Sequence, residues 1–187
     1  MAWVHEDDGH GGNDKGRIGQ EIVAAVYESF GCEVIKSSRE QDISGIDFFF
    51  KKDDKTISAS VTNTVCIPEI NKNYNRIIYS GHLNNKIPGI KNSKADICVC
   101  CNASYPNHIF HQKRSHILEY VENIYGKDIK ECRFAYDPLD AVTIGRPQLR
   151  FRNSVSLYDI WVLVPITEFK KLDRPRGSYV GVVDEVR

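Results

Sequence analysis

Two carboxylates in the first quarter of the chain, Glu21 and Asp47, precede an alternating run of hydroxyl side chains, Ser58, Ser60 and Thr62. Asp47 follows Gly45-Ile46, so it stands where a loop enters a strand and its neighbours are held rigidly. Rigid anionic oxygens are what a hard divalent cation such as Mg²⁺ or Mn²⁺ requires of its ligands. Alternate residues of the next strand share a face, which groups Ser58, Ser60 and Thr62. The same residues also have a purely structural reading: Asp47 as a turn residue, and Glu21 as a solvated charge near a helix start, where Glu is favoured.

A second group of residues has the chemistry of polyanion binding. From Ile70 to Ala95 the chain carries Lys72, Arg76, Lys86, Lys91 and Lys94 with no Asp or Glu, and Tyr74 and Tyr79 lie among them. Cations without anions meet a phosphate backbone by releasing its counterions, and tyrosines stack on exposed bases. An ordinary solvated loop is the alternative. Lys170, Lys171, Arg174 and Arg176 form a smaller cluster that reads as a polar tail. Cys98, Cys100, Cys101, His108 and His111 have the side-chain types of a zinc site, but on a strand Cys98 and Cys100 share one face and Cys101 lies on the other, and three closely spaced cysteines in an apolar run read as buried thiols. Cys32, Cys66 and Cys132 have no neighbour that argues for a reactive thiolate. Gly9, Gly11 and Gly12 follow no strand and make no phosphate loop.

The elements that must position these groups follow from periodicity. Ile18, Ile22, Val23, Val26, Tyr27 and Phe30 recur at helical spacing from Gly16, and Gly31 stops the helix. Residues 32–36 and 46–50 read as strands separated by a polar loop. Lys51 to Lys55 is a charged turn, and Thr56 to Thr64 alternates as a third strand. Residues 65–95 read as a long polar excursion with at most one short helix around Lys72 to Tyr79. Ala95 to Ala103 is a central apolar strand, Ser115 to Tyr125 a helix closed by Gly126, and Ser154 to Thr167 a strand ended by Pro165. This order predicts an α/β fold with a mixed central sheet flanked by helices.

The stretch KGRIGQEIVAAVYESFGCEVIKSSREQDISGIDFFFKKDDKTISASVTN, residues 15–63, resembles the PD-(D/E)XK nucleases, the family of restriction endonucleases and Holliday junction resolvases. The resemblance lies in the Lys-Gly-Arg-x-Gly-x-Glu helix start, the following strand, Gly45-Ile46-Asp47 and a hairpin into a third strand. It implies a restriction-endonuclease-like fold, with Asp47 as metal ligand, Glu21 as auxiliary acid and DNA phosphodiester bonds as substrate. Active members carry Glu-x-Lys on the third strand, where this chain reads Ser60-Val61-Thr62. The second acid and the lysine are therefore missing from that slot, leaving Ser60 and Thr62 as water-positioning groups. Glu40, Asp42 or Glu69 would have to supply the acid, and Lys15, Lys36 or Lys55 the cation, if cleavage survives.

The 187 residues hold 25 Lys+Arg against 25 Asp+Glu and 41% hydrophobic residues, the balance of one globular domain, and a net charge of zero excludes a chain that is basic all over. Residues 1–14, acidic and glycine-rich, read as a flexible arm, with a single domain over 15–187. No apolar run reaches the roughly 18 residues of a membrane span, and the N-terminus lacks the order of a signal peptide, so a cytoplasmic protein is expected. The short length and acidic arm suit a phage or mobile-element protein, and zero net charge permits a homodimer. Three functions follow: a divergent metal-dependent endonuclease or resolvase, a catalytically inactive nuclease-fold protein that binds DNA or serves as a structural subunit, and a protein-interaction module.

Overall fold

The computed structural model describes residues 12–64, 72–80, 89–102, 104–126, 148–154 and 157–173. The first helix, α1 (Gly12–Ser29), buries Ile22, Val23, Val26 and Tyr27, the stripe its spacing predicts. It leads into β1 (Glu33–Lys36), a short α2 (Arg39–Ile43), and the hairpin of β2 (Phe48–Lys52) and β3 (Lys55–Thr64). Asp53, with φ of 53°, makes the tight turn between them. After β4 (Tyr74–Ser80) and the single turn α3 (Gly89–Asn92) come β5 (Ile97–Asn102), β6 (His108–Lys113) and α4 (Arg114–Tyr125). The pair β7 (Gln148–Ser154) and β8 (Leu157–Pro165) precedes a 3₁₀ turn and β9 (Lys170–Asp173).

Six strands form a mixed sheet in the order β1-β2-β3-β5-β6-β9, in which only β3 and β5 run parallel. The chain is thus α/β with a mixed central sheet. β5 is apolar from Ile97 to Cys101 because both its faces are covered: Val99 and Cys101 join α1, Phe48, Phe50 and Ala59 in one cluster, while Cys98 and Cys100 join Phe110 and α4 in another. The second cluster also takes Ile77, Tyr79, Val162 and Val164 from a separate three-stranded sheet, β4-β8-β7. Among the described residues no helix is long and apolar enough to cross a membrane.

Several boundaries differ from those the sequence predicts. Helix α1 already includes Gly12 to Asp14, expected from the sequence to belong to the arm; residues 1–11 lie outside the described residues. The loop 37–45 contains α2, because Ser38 caps it in a reciprocal box with Gln41. The segment expected as a helix around Lys72 to Tyr79 is instead β4, paired antiparallel with β8. Its Tyr and Ile residues have the shapes a strand favours, and Asn75, which interrupts the apolar pattern, is buried against Asn102.

Candidate functional site

Strand β3 changes neighbours at Ala59. Its first half, through Ala59, pairs with β2, and its second half, from Ala59 onward, pairs with β5. Beyond that point β2 no longer runs beside it, and the main-chain N–H of Val61 is met by a side chain: it donates to Asp47 Oδ2 at 2.7 Å. Asp47 Oδ1 accepts from Gln20 Nε2 of α1, also at 2.7 Å. Asp47 is therefore wedged between the helix and the strand, its own N–H donating to Ala59 O and its carbonyl accepting from Ser37 N.

Gly19 makes this proximity possible. A Cβ at that position would stand 2.9 Å from Asn63 Cβ, inside any normal contact, so only glycine lets α1 approach β3 this closely. The thiol of Cys101 bonds Gly19 O at 3.5 Å on the same line of approach. Burial is the main reason the Asp47 carboxyl titrates high, at about 6 against an ordinary 3.8; Asp42 raises it further, while the bonds from Val61 and Gln20 and the charge of Lys36 pull it back.

Of the acids the resemblance implies, Asp47 stands at the mouth of the β2–β3 hairpin as expected. Glu21 does not share its bonding network: its carboxylate takes the guanidinium of Arg17, one turn earlier at 2.6 Å, in an exposed pair. The helix residue that reaches Asp47 is Gln20, which follows Gly19, the point of closest approach of α1 to β3. Ser60 and Thr62 stand opposite Cys98 and Cys100 in the parallel register, on the face away from α1. What β3 offers Asp47 is the Val61 backbone, not these hydroxyls. The neighbouring Ser58 is engaged from the other edge: its N–H and its hydroxyl both donate to Asp96 Oδ2, at 2.8 and 2.7 Å.

The donor set of the described residues does not fit a catalytic Mg²⁺. Among the described residues no three His, Cys, Asp or Glu side chains gather closely enough to hold a metal ion, and both Asp47 oxygens already accept short hydrogen bonds. Glu69 lies outside the described residues. The cysteine and histidine group is dispersed: Cys98, Cys100 and Cys101 are buried free thiols, with burial pushing Cys98 up to about 12 and Cys100 well above its ordinary value. His108 pairs with Asp173 at 2.9 Å, and His111 Nδ1 meets the Tyr27 hydroxyl at 3.2 Å.

The basic residues fall into distinct places. Tyr74 is 1% exposed, so it belongs to the core and offers no ring for stacking. Arg76 is half-buried on β4, and Lys72 is exposed in the turn before it. Lys91 lies over the Tyr79 ring at 5.7 Å, and Lys94 is exposed. Lys86, Arg174 and Arg176 lie outside the described residues, while Lys170 and Lys171 belong to the edge strand β9. Lys94 is brought beside the loop that delivers Asp47, its N–H donating to Ser44 O at 3.0 Å. No family model, curated protein or solved structure matches this chain.

Proposed function

We propose that this chain is a restriction-endonuclease-like domain that binds DNA without cleaving it. The observation that carries the reading is the Asp47 carboxylate: one oxygen is taken by Gln20 and the other by the Val61 N–H, with no acidic group of metal-binding size among the described residues. Hydroxyls and an apolar residue fill the slot where the resembled family keeps its second acid and lysine. DNA binding is supported by Lys91 and Lys94, which share a segment with only one acid, Asp96, and that carboxylate is turned onto Ser58.

Metal-dependent cleavage is the second reading, and one observation favours it. Asp42 and Lys36, an acid and a cation, both act on the Asp47 carboxyl, in opposite directions. The test is one experiment on labelled duplex and four-way-junction DNA, with binding and cleavage followed in Mg²⁺, Mn²⁺ or EDTA. Salt-sensitive binding and no product with either metal is the expected result. Metal-dependent product that disappears in Asp47→Ala establishes the second reading, and neither binding nor product leaves the interaction module.

A further inference from the structure

Lys91 and Lys94 stand on a four-residue span, 91–94, bracketed by two carbonyls that a single side chain holds. Arg114, the first residue of α4, donates from Nη1 to Ile90 O at 2.8 Å and from Nε to Ala95 O at 2.9 Å. Its own N–H donates to Asp96 O at 2.9 Å. The same span is fastened on its other side: Ser93 Oγ donates to Gly45 O at 2.9 Å and accepts from Ala95 N at 3.0 Å, and Lys94 N donates to Ser44 O. One guanidinium thus closes the base of the span, while two bonds tie it to the loop before Asp47.

Arg114 is unusual in what it does not have. No carboxylate among the described residues pairs with it; its side-chain bonds go to neutral carbonyls, in a half-buried position. A guanidinium spent on two backbone oxygens fixes geometry through its planar fork, and its uncompensated charge adds to the positive potential of the segment. Ile90 and Ala95 anchor the two ends of the segment in the interior, but the 91–94 span between them carries only polar side chains, and ordering such a span on contact with a partner would cost affinity.

We infer that Arg114 is a positioning residue for DNA binding, holding the Lys91–Lys94 span in its binding conformation without touching the phosphates. The inference rests on the DNA-binding reading above, and it assigns the phosphate-contacting face to this span and the adjoining Ser44–Gly45 loop. A lysine side chain in place of this arginine would retain the charge but cannot bridge two carbonyls with the same fixed fork, so Arg114→Lys isolates the geometric effect.

The measurement is anisotropy of a short labelled DNA duplex over a range of salt, on the full chain and on Arg114→Lys, Ser93→Ala and Lys94→Ala. Arg114→Lys is expected to weaken binding by about three- to tenfold, with an unchanged slope of log K against log salt. Ser93→Ala should shift affinity in the same direction. Lys94→Ala should lower the slope by about 1, as loss of a phosphate contact does. Amide hydrogen exchange at residues 91–95 should quicken in Arg114→Lys while the other described strands keep their protection. Full affinity in Arg114→Lys, or a reduced slope, overturns the inference while leaving DNA binding standing. Failure of the unaltered chain to bind overturns both.

Discussion

Two aspartates flank strand β3, Asp47 on the side of β2 and Asp96 on the side of β5. Each accepts a main-chain N–H at a point where the neighbouring strand is absent: β2 no longer accompanies Val61, and β5 has not yet begun at Ser58. Their surroundings differ. Asp96 is exposed and bonds a single residue twice, whereas Asp47 is enclosed by α1 and bonds across 27 positions to Gln20 as well as to Val61. A carboxylate can therefore finish the edge of a strand in water or under a helix, and burial under the helix disfavours the ionisation of Asp47.

The largest effect should come from removing the enclosed member. Asp47→Ala leaves the Val61 N–H and the Gln20 amide without their acceptor and is expected to cost about 2–4 kcal/mol of unfolding free energy, read from denaturant midpoints. Asp47→Asn should be far milder, because the Gln20 amide can turn over and accept from the new NH₂ while the Asn oxygen keeps Val61. That contrast separates a hydrogen-bonding role from a need for negative charge.

pH sharpens the same comparison. The folded Asp47 carboxyl titrates near 6, above its ordinary 3.8, so the folded state holds the proton more tightly than the unfolded chain. Its contribution is fully present below about pH 4, declines as pH rises toward 6, and is constant above that. The difference is about 3 kcal/mol at most. The stability gap between the native chain and Asp47→Asn should change across this window; a flat difference refutes the assignment.

Gly19→Ala tests what keeps Asp47 enclosed. Its methyl would meet Asn63 Cβ, which cannot retreat without moving β3, so about 1–2 kcal/mol should be lost despite alanine's better helix propensity. The displaced helix should admit water and bring the Asp47 titration down toward its ordinary value. At the Asp96 end, Ser58→Ala should cost only about 1 kcal/mol, since Asp96 retains the main-chain N–H of residue 58. Glu21→Ala should cost less than about 0.5 kcal/mol, because its pair with Arg17 is open to solvent.

Much of this arrangement is legible in the residues. Helix α1, the β1-β2-β3 succession, the apolar β5 and α4 all follow from local periodicity and from glycines at their ends. The second sheet does not, because β4 pairs with β8, far along the chain, and no local pattern encodes that pairing. In the candidate site, Asp47 announces itself through Gly45-Ile46. Gln20 does not, since one residue along a helix turns a side chain by about 100°, and the choice between Gln20 and Glu21 is decided by how α1 lies on the sheet. The alternation of Ser58, Ser60 and Thr62 is plain, but which face α1 covers is a tertiary matter.

The two capped N–H groups, at Ser58 and Val61, lie three positions apart. Successive N–H groups along a strand point to opposite edges, so an odd spacing is the only kind that serves one aspartate on each side. Strand β3 is in effect a ruler between Asp47 and Asp96. Side chains along it can be exchanged one at a time, but inserting or deleting a single residue between Ser58 and Val61 would turn both groups to the same edge and strand one carboxylate. Change in length, more than change in composition, is what this part of the chain cannot absorb.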